Sequence, residues 1–99
     1  MDAKKDNNVY TFFISGELTL ENENSLKEEI SGKLENDNCA KVVLDLSGME
    51  YIDSSGIGML VYLNKELKNS GKELALKNVS DSVMEIFKIG CFDDILKIE

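Results

Sequence analysis

The chain has 99 residues, of which 42% are apolar and 30% charged, and its net charge is −8. A chain of this length buries roughly 60–65% of its unfolded surface, which suffices for one core, residues 1–99, without metal or disulfide staples. The acidic balance repels DNA, RNA and anionic membranes and attracts a basic protein surface.

In chain order, residues 3–5 read as a short edge strand, and Asp6-Asn7-Asn8 as a turn. Val9 to Ser15 (VYTFFIS) is a β-former run in which Val9, Thr11 and Phe13 alternate with Tyr10, Phe12 and Ile14. Leu26, Ile30 and Leu34 fall at i, i+4, i+8, which predicts a helix from about Asn22 to Glu35 with that stripe inward. Lys41 to Leu46 has strand length and apolarity, and Ser47 to Ile52 reads as a turn and loop. A helix is expected from Ser54 to Asn69, with Ile57, Leu60, Val61, Leu63, Asn64 and Leu67 on its inner side. Met59, Tyr62, Glu66 and Asn69 fall on the opposite side, and Gly71 closes the helix. Glu73 to Lys77 is a strand, Ser80 an N-cap for a helix over Asp81 to Ile89, and Ile95 to Ile98 a last strand. The β-α-β-α-β alternation predicts a parallel sheet with an antiparallel N-terminal edge, an α/β domain with four or five strands in a mixed sheet packed with helices.

No catalytic constellation can be assembled. Without histidine there is no Ser-His-Asp or Cys-His site, and Cys39 and Cys91 form no CxxC pair, so they read as reduced thiols rather than zinc ligands. Gly56-Ile57-Gly58 opens like a dinucleotide fingerprint, but Val61 occupies its third glycine position. No cofactor or metal is implied. No leader-like or membrane-spanning apolar run is present, so a cytoplasmic location is expected.

The stretch Ile52-Asp53-Ser54-Ser55-Gly56 delivers two serines to a helix start, where free N–H groups and the helix dipole favour a phosphate. Together with Gly16-Glu17-Leu18, Val43-Leu44-Asp45-Leu46-Ser47, Ile57-Gly58, Gly71-Lys72-Glu73-Leu74, Asn78-Val79-Ser80 and Ile89-Gly90-Cys91-Phe92, it resembles the STAS-domain anti-sigma factor antagonists of the sporulation and stress-response type. The resemblance spans nearly the whole chain and implies a STAS-like fold. It implies further that an antagonist with a free serine binds an anti-sigma factor that is also a serine kinase, and so releases a sigma factor. The kinase then phosphorylates the antagonist, the complex dissociates, and a serine phosphatase resets the cycle. The serine after the aspartate, here Ser54, is the acceptor in that family. Two departures stand out: Thr19 replaces the aspartate of the family's G-E-L-D, and the sequence ends at Glu99, before a further helix found in many members.

Each of these residues also has a plainer reading. Ser54 is a phosphoacceptor or an N-cap; the surrounding signature favours the former, with Ser55 the alternative acceptor. Asp53 orients the hydroxyl or the partner's nucleotide site, or only supplies charge at a helix start. Gly56 and Gly58 allow close approach of a kinase, or close packing on the sheet. Met59 and Tyr62 are expected to form a partner patch beside the serine, joined by Ser55, Ile57 and Thr19, the last able to cap the first helix. The alternatives to a phosphorylation switch are a STAS module of another system, either a stressosome-type scaffold or a transporter-associated subunit, and a nucleotide-binding module.

Overall fold

The computed structural model describes residues 1–99. The β-former run extends beyond VYTFFIS to give β2, Val9–Leu18, which pairs antiparallel with a fully exposed edge strand, β1, Asp2–Asp6. Asn7 makes the turn between them at φ +55, a left-handed conformation that asparagine tolerates. The chain continues as α1 (Glu23–Leu34), β3 (Lys41–Ile52), α2 (Ser54–Asn69), β4 (Glu73–Lys77) and α3 (Asp81–Ile89). A 3-10 turn at Phe92–Asp94 leads to β5, Lys97–Ile98, shorter than the Ile95 to Ile98 strand expected from sequence.

The five strands lie in sequential order, and all pairs except β1–β2 are parallel. Each crossover therefore advances the same way across the sheet, and right-handed connections put all three helices on one face. Burial agrees: Phe12, Ile30, Leu44, Leu60, Leu76 and Phe87, drawn from the central strands and all three helices, share one core. On the other face, Val43 and Ala75 are buried although no helix covers them. Ion pairs of Lys41 and Lys97 with Glu99, and of Lys97 with Glu73, run across that face, so the lysine stems shield the apolar side chains while the ammonium groups stay in water.

The expected turn over Ser47 to Ile52 is not there. β3 runs on to Ile52, and its second half pairs with β2 up to Leu18–Ile52. The register slips between Phe13 and Ser15 and again between Gly16 and Glu17, so β3 takes up an extra residue at each place. Asp45 explains the misreading. Its carboxylate accepts the Ser47 N–H at 2.9 Å, as a turn-forming aspartate would, but the result is a bulge rather than a chain reversal. Bending β3 in this way carries its last residues beyond β4 and sets Asp53 beside the end of β2.

Candidate functional site

Helix α2 begins where β3 ends, at the carboxyl edge of the parallel strands. Asp53 has extended backbone (φ −105, ψ −177), and its Oδ1 accepts the Gly56 N–H at 2.9 Å. Its Oδ2 accepts the Leu20 N–H at 3.1 Å, and its own N–H donates to the Leu18 carbonyl at 3.1 Å. One carboxylate thus closes the helix terminus and ties it to the loop after β2. Asp53, not Ser54, is the N-cap. The N–H of Gly56 is the main cause that holds the Asp53 carboxyl below the ordinary carboxylate range; desolvation pushes it up, and the Leu20 N–H adds to the downward side. Ser54 is the first helical residue and is exposed; Ser55 is half-buried.

The two glycines separate cleanly. A Cβ on Gly56 would collide with the Leu18 carbonyl oxygen and come within 2.8 Å of Ile52 Cγ1, so Gly56 exists for the close packing of α2 on the strand ends. A Cβ on Gly58 would meet nothing within 4 Å. Packing accounts for Gly56 and leaves Gly58 unexplained by the fold.

Ser54, Gly58 and Tyr62 are spaced i, i+4, i+8 and form one exposed stripe along α2. Tyr62 is 46% exposed, and the Lys27 ammonium of α1 lies 4.7 Å above its ring centroid. Met59 does not belong to this stripe. It is only 2% exposed, because α2 buries a flank against α1 as well as its underside against the sheet, and Met59 lies one turn before Leu63 on that flank. Ile57 is also buried. Neither side chain is available to a partner on the folded surface.

Thr19 does not cap α1; Asn22 holds the N-cap position. Thr19 instead organises the turn before the helix. Its carbonyl accepts the N–H groups of Asn22 (3.1 Å) and Glu23 (2.9 Å), and its own N–H donates to Asn22 Oδ1 at 2.8 Å. The Asn22 amide nitrogen donates to the Glu17 carbonyl at 2.7 Å. Two exposed apolar side chains, neither marked by a motif in the sequence, belong to the segments that meet at Asp53: Leu20 in this turn, and Tyr51, the penultimate residue of β3. A leucine between Thr19 and Glu21 in a polar loop was the only sequence signal for the former.

No group of three or more cysteine or acidic side chains is arranged to hold a metal ion. A groove of about 550 Å³ lies between α1 and α2, bordered by Leu34, Leu63, Leu67, Glu28 and Glu66, and none of the residues around Ser54 lines it. No helix is long and apolar enough to cross a membrane. The start of α2 carries an exposed serine hydroxyl beside the turn that follows β2.

The sequence profile of the STAS domain matches residues 1–99. A Bacillus subtilis protein named anti-sigma-B factor antagonist is 30% identical over 98 residues, covering 99% of this chain and 88% of that protein. A crystal structure from Thermotoga maritima, provisionally described as an anti-sigma factor antagonist, superposes with a TM-score of 0.89 at 29% identity, covering 98% of this chain and 83% of that one. The phosphorylated form of the Bacillus cell fate determinant SpoIIAA shares the fold, with a TM-score of 0.72 at 16% identity over 99% of this chain and 89% of that one.

Proposed function

We propose that this chain, which belongs to the STAS domain family and within it to the anti-sigma factor antagonists, is a partner switch controlled by phosphorylation of Ser54. In its unmodified form it binds an anti-sigma factor that is also a serine kinase, which frees a sigma factor. In its phosphorylated form it lets go, and a serine phosphatase resets it. It is a regulatory binding protein rather than an enzyme, and it acts in the cytoplasm without contacting nucleic acid itself.

The observation that carries this reading is the division of labour at the start of α2. Asp53 does the capping, so the exposed Ser54 hydroxyl is not committed to holding the helix. In the reaction, Ser54 Oγ bonds to the γ-phosphorus of the kinase's ATP as the bond to ADP breaks, and the hydroxyl proton passes to a base of the kinase. The phosphate adds about −1.5 to −2 charge at a helix N-terminus, where the dipole favours it, so the fold tolerates it. At an interface the balance reverses. Two added charges facing a partner carboxylate ~6 Å away cost roughly 1.4 to 5.5 kcal/mol as the effective dielectric falls from about 80 to about 20. About 2.7 kcal/mol is already a hundredfold in affinity.

The contact surface assigned here is the stripe Ser54–Gly58–Tyr62, with Asp53, Ser55 and the Thr19 turn beside it. Incubation with candidate kinase–anti-sigma factors and ATP, followed by mass-spectrometric mapping, should place one phosphate on Ser54. Phosphate on Ser55 alone, or none with any such kinase, would refute the assignment.

A further inference from the structure

Leu20 is a large apolar side chain that is 71% exposed, and its backbone N–H is bonded to the Asp53 carboxylate. It does not sit on a loose tip. Its N–H is held by Asp53 Oδ2, and the turn around it is closed by the Thr19–Asn22 and Asn22–Glu17 hydrogen bonds described above. The Glu21 N–H is a further donor satisfied within the turn, by Thr19 Oγ1 at 3.4 Å. A leucine held this way gains nothing for the fold, since it buries little. It does gain for association, because the ordering that binding would otherwise require is already in place. Its sequence neighbourhood is acidic: Glu17, three residues before it, and Glu21, directly after it, are exposed, and the Asp53 carboxylate bonds its N–H.

We propose that Leu20 is an apolar anchor that enters a pocket on the protein partner, and that Asp53 is the positioning residue that holds it out. The pocket is apolar at its base and rimmed by Lys or Arg side chains, as the acids around Leu20 require. The anchor rests on the partner-switch reading above, and it adds a second contact point separate from the hydroxyl. Leu20 touches neither the serine nor the transferred phosphoryl group, so it acts on complex formation and not on the chemical step.

The test uses the full chain with the kinase–anti-sigma factor that phosphorylates it. Leu20→Ala should weaken binding about ten- to hundredfold, the range expected for losing one buried leucine. It should raise KM for phosphorylation by a similar factor, leave kcat unchanged, and leave the melting temperature unchanged. Leu20→Met should restore most of the affinity, and Leu20→Asp should abolish binding. Asp53→Ala should strip the Leu20 amide of its protection from hydrogen exchange and weaken binding. In the Leu20→Ala background it should cost clearly less than it does alone, because the two residues act as one unit. Wild-type affinity for Leu20→Ala sinks the anchor while leaving the switch intact. Full additivity of the two substitutions sinks the positioning role of Asp53. Failure of the unmodified chain to bind any such kinase sinks the functional reading, and the anchor with it.

Discussion

At the end of β4, Ser80 caps α3 with its own hydroxyl, which accepts the Val83 N–H at 3.3 Å and lies 3.2 Å from the Ser82 hydroxyl. At the end of β3, the cap of α2 is Asp53, and Ser54 stands one residue further on, inside the helix and exposed. Both helices begin at carboxyl ends of parallel strands, and both offer two serines to solvent or near it. The difference lies in which atom satisfies the orphan N–H groups of the first turn. Where serine does the capping, its hydroxyl is structural. Where an aspartate takes that role, the hydroxyl of the next serine is not committed to the cap. The second contrast is in packing: α2 presses Gly56 against the Leu18 carbonyl, while α3 enters its packing with Val83, a full-sized side chain.

The packing contrast gives the largest expected effect. Gly56→Ala should destabilise the chain by about 3 kcal/mol, since the added methyl meets backbone that has nowhere to go. Urea denaturation checks this, and a loss under about 1 kcal/mol would show that the start of α2 is looser than described. The capping contrast comes next. Ser80→Ala should cost about 1 kcal/mol, and Ser54→Ala should stay within about 0.5 kcal/mol in the same assay. Equal losses at the two serines would erase the distinction between the two helix starts. Gly58→Ala should stabilise by about 0.5–1 kcal/mol, because the methyl enters open space and alanine is the better helix former. The same substitution should weaken binding of the kinase partner, so stability and binding move in opposite directions.

The smallest effect is in pH dependence. The Gly56 and Leu20 N–H groups lower the Asp53 pKa, so the stability it adds is fully present above the unfolded carboxylate range, about pH 4, and is lost as pH falls through its lower folded value. Asp53→Asn should therefore flatten the acid limb of a stability–pH curve, and Ser80→Ala should shift the whole curve without changing its shape. Part of the acid sensitivity remains in both variants. At Asp45, burial pushes the carboxyl up, but the hydrogen bonds from Ser47 and Asn78 outweigh it and hold the pKa down.

Much of this contrast could be read in the sequence, and the exceptions have physical causes. The limits of α2 and α3 and the Ser80 cap follow from local chemistry: a polar capping residue, an apolar period, a terminal glycine. The Asp53–Leu20 bond joins residues 33 positions apart, and no local pattern encodes it. Met59 was misplaced because a helical wheel gives directions, not the width of the buried arc, and that width depends on α1 lying alongside α2. The second half of β3 was missed because Ser47-Gly48 looks the same in a bulge as in a turn. At the site, the place of Ser54 at a helix start follows from the sequence, while its freedom from capping is visible only with Asp53 in place.

Calorimetric titration of the cognate kinase–anti-sigma factor with the unmodified chain and with the chain phosphorylated on Ser54 tests the central claim most directly. Phosphorylation should lower the affinity at least a hundredfold with the melting temperature nearly unchanged, and Ser54→Ala should bind like the unmodified chain but stay bound when ATP is added. Equal affinity of the phosphorylated and unmodified forms, or loss of binding only through unfolding, would contradict that claim.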